Sequence, residues 1–381
     1  MALTAVPLHR RIVWLCLFFL LIGQIMLFSA TGVLGLERHG SEFYFVTRQF
    51  ISAALGVAVL LLFSRVPYQK WGEHSKFFLA IQILLVAATM FSPFGHFAGG
   101  AKRWIHVGSL NFQPGELAKI TVTLYLAKLL SEHQVSPIPL KRWLKLFAPI
   151  LLLLVLILKQ PDLGTTALLT TISLGLFFIA GTRILYIMSF VGGGGLILAL
   201  CMVQSEYRRR RLFAFLNPWA DPQGSGFQTI QSFLSIHSGG LFGAGIGNGN
   251  SKLFYLPEVH TDFIYSLIGE ELGFIGAGIV LLLFAYFAYL LFKVAFQAKD
   301  SLGCYLAFGI ALGLVLQIMV NLGGVTGVLP VKGLPLPFIS LGRSALLVNL
   351  AMVGILLNIV RQSTIIPSKV SLRGGANPKQ P

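Results

Sequence analysis

Residues 12–35 read IVWLCLFFLLIGQIMLFSATGVLG and carry no acidic or basic side chain. About 20 apolar residues in a helix cross roughly 30 Å of hydrocarbon, so this stretch can span a bilayer. His9, Arg10 and Arg11 give it the flank of a secretory signal, but the run continues to Gly35 without an A-x-A-like cleavage site. It reads as a first transmembrane helix. Apolar windows recur at about 12–35, 45–64, 77–95, 115–130, 146–160, 164–181, 184–203, 263–292, 303–322 and 343–360. The expected fold is all-α: a polytopic membrane helix bundle of about ten transmembrane helices with one long extracytoplasmic loop, 204–262.

Composition points the same way. The 381 residues are 55% hydrophobic and 11% charged, with a mean hydropathy of +0.80, whereas soluble domains average roughly 25% charged. So few charges cannot coat a water-soluble surface. The net charge of +16 would suggest nucleic acid in a soluble chain; here it is assigned to membrane orientation and anionic headgroups, and no nucleic-acid partner is expected. Cys16, Cys201 and Cys304 lie in apolar stretches without C-x-x-C spacing, which implies neither a disulfide framework nor a zinc site. GGGG at 192–195 reads as close helix packing.

An even number of crossings puts both termini on one side. With cytoplasmic termini, 16 Lys and Arg fall on that side and 12 outside, five of the latter in the 204–262 loop. Long loops largely escape the positive-inside rule, so cytoplasmic termini are favoured. Residues 1–11 then form a cytoplasmic N-terminus, 12–362 the transmembrane domain, and 363–381 a disordered cytoplasmic tail rich in Pro and Gly.

Polar residues at membrane depth are costly and face a cavity or a partner. In QPGELAK (113–119), Glu116 and Lys119 are three apart and share a helix face; they are either a packing ion pair or part of a substrate cavity. In QPDLGT (160–165), Asp162 either caps the next helix or faces an outer cavity. GGAKRWI (99–105) sets Lys102 and Arg103 beside Trp104. That arrangement is an interfacial anchor or a phosphate site combining an arginine fork with a lysine point charge.

Arg208, Arg209, Arg210 and Arg211 oppose the orientation rule and require something anionic to compensate them. GAGIGNGN (243–250) lacks both the G-x-G-x-x-G spacing and a preceding strand of a nucleotide loop; it reads as a flexible loop that lets backbone approach a ligand or a neighbouring helix. LPEVHTDF (256–263) leads into the eighth window, followed by Glu270 and Glu271. Asp262 is either an N-cap or, with Glu258 and His260, part of an outer-mouth group suited to proton abstraction beside an anionic leaving group. Glu270 and Glu271 suit helix packing.

In this order, GGAKRWI, NFQPGELAKI, QPDLGTT, the run 208–247, KLFYLPEVHTDFIYSLIGEELG and GVLPVKGLPLPFIS resemble the SEDS family of bacterial cell-wall polymerases (shape, elongation, division and sporulation) from about residue 13 to residue 362. The long arginine-to-glycine loop and the KLFYLPE-HTDF block are similar to its division branch rather than its elongation branch. One position departs: the family usually follows P-F-I-S with Tyr-Gly-Gly-Ser, whereas this chain has Leu341, Gly342, Arg343 and Ser344.

The resemblance implies a ten-helix, inverting glycosyltransferase of the bacterial cytoplasmic (inner) membrane, at the division septum. It would polymerise lipid II, an undecaprenyl-diphosphate-linked disaccharide peptide, into peptidoglycan glycan strands. A class B penicillin-binding protein is the implied cross-linking partner, alongside other divisome membrane proteins. Asp262 maps to the catalytic residue, Glu116 and Lys119 to the family's ion pair, and Asp162 to its outer-loop carboxylate.

Together with the reading above, the expected substrate-binding set is Lys102, Arg103, Glu116, Lys119, Asp162, Arg208, Arg209, Arg210, Arg211, Glu258 and His260. Cations of the protein, or a divalent Mg²⁺ or Mn²⁺ ion, would stabilise the departing diphosphate; no other cofactor is expected. The rival readings are a lipid II flippase, which needs the cationic cavity but no base, an elongation-branch polymerase, and a scaffold that only recruits division proteins.

The charge asymmetry makes a first prediction. Cysteines placed at exposed positions of 204–262, in a variant lacking the native three, should react with an impermeant thiol reagent in intact protoplasts. Labelling only after lysis would reverse the orientation.

Overall fold

A computed structural model describes residues 6–91, 95–98, 101–107, 110–132, 137–204, 215–250 and 259–365. Helix α1 (Leu8–His39) starts after Pro7 and stops where Gly40, at φ 69°, donates its N–H to the carbonyls of Gly35 and Leu36. Helix α2 (Tyr44–Arg65) ends at Val66, which is extended ahead of Pro67. Short α3 (Tyr68–Glu73) and α4 (Ser75–Phe91) follow. Next come α5 (Pro114–Ser131), α6 (Leu140–Lys159), α7 (Leu163–Ile179) and α8 (Ile184–Gln204). The chain continues with α9 (Phe227–Ser238), α10 (Ile264–Phe296), α11 (Ser301–Val325) and α12 (Arg343–Ile365).

Each of the ten apolar windows coincides over most of its length with one helix, namely α1, α2, α4 to α8 and α10 to α12. Five of them, α1, α2, α10, α11 and α12, are long and apolar enough to cross a membrane by length and composition; α4, α7 and Ile184–Gly195 are shorter apolar helices. On α1 one face, with Ile12, Cys16, Phe19, Met26 and Leu27, is buried, while Trp14, Leu17, Leu21, Ile25 and Phe28 stand exposed on the other. An outer surface this apolar is out of place in water and matches hydrocarbon. The chain is a multi-pass membrane protein.

The core has two parts, with α5 between them. Ile120, Leu124 and Ala127 of α5 join the cluster built by α1, α2 and α10 to α12, whereas Ala118, Val122, Tyr125 and Leu126 join that of α4, α6 and α7. Away from the spans, Asp300 caps α11 through the Gly303 N–H at 2.7 Å and accepts the Tyr68 hydroxyl at 2.9 Å. Burial, and then the bond to and charge of Asp300, push the Tyr68 phenol well above its ordinary pKa.

Two features differ from the sequence expectation. The stretch between α4 and α5, which the sequence suggests is a short outer loop around GGAKRWI, holds β1 (Gly95–Ala98), β2 (Ala101–Val107) and β3 (Leu110–Phe112), an antiparallel sheet in the order β1-β2-β3. Gly99 and Gly100 between two such strands are a hairpin signal. The four glycines 192–195 do not mediate close packing, because a Cβ on any of them would meet nothing within 4 Å. Helix α1 begins at Leu8, so Arg10 and Arg11 lie in its first turn. The tail expected to be disordered lies, beyond Ile365, outside the described residues.

Helix α10 is broken. Gly273 has φ 70° and ψ −175° in the middle of its 33 residues. The segment after α9 fills the break: Ala244 and Gly245 donate N–H to the carbonyls of Glu270 and Glu271 at 3.0 Å, and Phe274 donates to Gly240 at 2.9 Å. The glycine-rich loop therefore approaches a neighbouring helix, one of the two roles read for it. Residues 274–296 alone, at about 1.5 Å per residue, span about 34 Å, enough for the roughly 30 Å hydrocarbon core.

A Cβ at Gly273 would lie 2.3 Å from the Gly243 nitrogen and 2.6 Å from the Leu241 carbonyl oxygen. Gly273→Ala should lower the melting temperature in detergent, a positive φ alone costing about 1–3 kcal/mol. Gly278→Ala, on the same helix but facing open space, should leave it unchanged or raise it. Equal behaviour of the two variants would refute the strap.

Candidate active site

Asp262 sits just before α10. The N-cap position is Phe263 and carries no side-chain cap, so Asp262 does not have the capping role that its place in the sequence allows. Its backbone carbonyl accepts the Asn321 amide at 3.0 Å, and the same amide donates to the Leu334 carbonyl at 2.9 Å. The Asp262 carboxylate lies 3.6 Å from where a Gly333 Cβ would be, next to Lys332. The neighbouring His260 accepts the Leu341 N–H on its carbonyl at 2.9 Å, and its ring lies 6.2 Å from that of Phe45.

The 326–342 loop that meets Asp262 descends into the bundle. Leu334, Leu336, Phe338 and Ile339 are buried. Phe338 stacks 6.4 Å from Phe19 and sits edge-on to Phe287 at 5.7 Å. Gln317 donates to the Pro335 carbonyl at 2.7 Å, Gln49 to the Ser340 carbonyl at 3.1 Å, and the Ser340 hydroxyl accepts the Leu336 N–H at 2.9 Å.

Glu116 and Lys119 are 3% and 1% exposed and pair at 2.5 Å. Lys119 also donates to Gln317 at 2.7 Å and to Asn349 at 3.4 Å. The pair thus joins α5, α11 and α12, and Gln317 carries its influence to the loop beside Asp262. Asp162 caps α7, accepting the Thr165 N–H at 3.1 Å and the Thr165 hydroxyl at 3.0 Å. Arg103 donates to the carbonyls of Gln160 at 3.1 Å and Pro161 at 2.5 Å, which clamps β2 onto the turn that holds Asp162. Lys102 is exposed; a register shift pairs it with Phe97 while Trp104 pairs with His96, so the two do not follow the ordinary alternation of a strand. Arg208, Arg209, Arg210, Arg211 and Glu258 lie outside the described residues. Glu270 and Glu271 serve packing: Glu271 accepts the Ser29 hydroxyl at 2.5 Å and Glu270 the Asn250 N–H at 2.6 Å.

A cavity of about 350 Å³ opens beside Asp262, with Thr261, Trp104, Arg48 and Arg343 in its wall. A half-buried carboxylate fixed by its own backbone beside a cationic cavity can take a proton from a hydroxyl while an anion is held nearby.

Comparison with known proteins places the chain in a family. Residues 10–365 match the model of the cell cycle protein family of FtsW, RodA and SpoVE. The chain belongs to this family. It is 42% identical over 341 residues to a probable peptidoglycan glycosyltransferase FtsW of Geobacter metallireducens, covering 88% of this chain and 90% of that one. It is 39% identical over 357 residues to the stage V sporulation protein E of Bacillus subtilis, covering 92% and 96%. Among solved structures, a chain described under the structural coordination of polymerization and crosslinking by a peptidoglycan synthase complex superposes with a TM-score of 0.75 at 28% identity, covering 92% of this chain and 97% of that one.

In this family member, sequence reading missed Arg48 and the buried amides Gln49, Gln317, Asn321 and Asn349. A signal was present: each amide interrupts an apolar window, and such residues are costly at membrane depth unless partnered.

The buried pair makes its own prediction. Lys119→Met strands Glu116 and should cost about 3–5 kcal/mol, read as a fall in melting temperature. Adding Glu116→Gln should recover much of the loss, because no lone buried charge remains. A double variant no more stable than the single one would remove the ion pair from the centre of this account.

Proposed function

We propose that the protein is a peptidoglycan glycosyltransferase that polymerises lipid II, with Asp262 as its general base. The observation that carries this reading is the position of Asp262: not capping α10, anchored through its carbonyl by Asn321, and next in the chain to Thr261, which lines a cavity that also holds Arg48 and Arg343. The Asp262 carboxylate takes the proton of the acceptor sugar 4-hydroxyl as that oxygen bonds to the donor's anomeric carbon. The bond from that carbon to the diphosphate breaks and the diphosphate leaves with the electron pair.

An α-linked donor becomes a β-linked product in one inversion. One base suffices, because the diphosphate is already a good leaving group, unlike the alcohol expelled in glycoside hydrolysis. Mg²⁺ is commonly held by one or two carboxylates together with substrate phosphates. Among the described residues no group of three or more His, Cys, Asp or Glu side chains could hold such an ion, and Asp262 is already committed as the proton acceptor; an ion bound by the substrate phosphates would supply charge neutralisation on the diphosphate.

The similarity to a probable FtsW at 42% identity supports the division branch and a septal location. The neighbour described in a polymerization and crosslinking complex supports a cross-linking partner of the class B penicillin-binding type. The lysine and arginine asymmetry supports cytoplasmic termini.

Asp262→Asn keeps the shape and removes the basicity. General-base assistance is typically worth about 10²–10⁴-fold, so polymerisation of lipid II by the purified variant should fall by that order while its melting temperature stays close to that of the parent. Near-normal polymer from Asp262→Asn protein would overturn the assignment. Headgroup translocation by the parent without polymer would favour a flippase.

A further inference from the structure

The cavity beside Asp262 has an unbalanced charge. Among the described residues of its wall, Arg48 and Arg343 are cationic and the rest are neutral, with no carboxylate. Arg343 makes no hydrogen bond or ion pair with any described residue. It is also the first residue of α12, whose first turn holds no acidic side chain; a cation there opposes the helix dipole. Helix stability therefore does not explain this arginine. Arg48 lies with its guanidinium carbon 4.2 Å over the Tyr44 ring, a stacked pose that occupies its face and leaves its N–H edge for an acceptor.

We propose that Arg343, with Arg48, forms a subsite for the phosphate groups of the lipid-linked donor, beside the proton acceptor. Two guanidinium forks offer planar, paired donors that suit phosphate oxygens, and their joint charge suits a diphosphate better than a single carboxylate. Trp104 and Phe45 in the same wall give apolar faces for a sugar ring, and Thr261, adjacent to Asp262 in the chain, ties the cavity to the base. The identity of the phosphate carrier rests on the polymerase reading; the binding of phosphate does not.

The full chain in nanodiscs, titrated with inorganic diphosphate and separately with a polyprenyl diphosphate in the disc, tests this. Arg343→Gly should raise the dissociation constant at least about tenfold, as expected for losing charge-assisted hydrogen bonds, with an unchanged melting temperature. Arg343→Lys should restore part of the affinity, and added salt should weaken the parent more than Arg343→Gly. If Arg343→Gly is poorly folded, Arg343→Gln is measured in its place. Arg343-dependent binding of both ligands assigns the phosphate itself; dependence with the polyprenyl ligand alone assigns a lipid-borne group. Equal affinities in parent and variants for both ligands would overturn the subsite and leave the polymerase reading intact. Arg343-dependent binding in a parent protein that makes no polymer would uphold the subsite and sink the polymerase.

Discussion

Backbone that leaves a helix at membrane depth must find its hydrogen-bond partners inside the protein, and most of this structure follows from how that demand is met. The loop between α11 and α12 reaches Ile339, whose Cα would be 2.8 Å from a Cβ on Gly23, at the middle of α1. Its carbonyls at Leu334, Pro335 and Ser340 are satisfied by Asn321, Gln317 and Gln49. Each amide stands on a packed helix, so the loop has the rigidity of the bundle. Because Asn321 also holds the Asp262 carbonyl, the segment carrying the proposed base and the segment facing it are positioned by one side chain.

The buried ion pair acts through the same amides. Lys119 donates to Glu116 and Gln317, and Gln317 passes its own N–H to Pro335. An amide has an acceptor end and a donor end, and an ammonium at the acceptor end fixes which way round it lies. Lys119 thereby sets the orientation in which Gln317 can support the loop. That gives the pair a positioning role and accounts for two charges in the bundle interior, where an apolar pair would pack at less desolvation cost.

The ten helices were legible because each is a long apolar window with polar ends, the strongest signal a sequence carries. Asp262, Glu116, Lys119 and Asp162 stood out because charge is rare in such a chain. Less legible were features whose meaning depends on a distant partner. The break at Gly273 reads as uninterrupted helix until the 240–245 backbone arrives to satisfy it. Arg103 reads equally as anchor or phosphate ligand until two of its donors are found on the Gln160 and Pro161 carbonyls. Gln317 and Asn321 look like isolated polar residues in an apolar span until the loop they support folds back on them.

The cations near the site therefore separate by what compensates them. Lys119 is enclosed with its counter-charge and Arg103 is committed to backbone carbonyls, so removing either would disturb the scaffold first. Arg343 has no such compensation among the described residues and stands where the helix field is against it. Arg48 has only an aromatic face at 4.2 Å. Charge left uncompensated in a cavity wall raises the potential felt by an incoming anion, most where low-dielectric walls focus it. A site that holds a diphosphate while a neighbouring carboxylate removes a proton needs that potential at the leaving group and not at the base. The Asp262 carboxylate, next in the chain to a wall whose charged described residues are both arginines, provides that division.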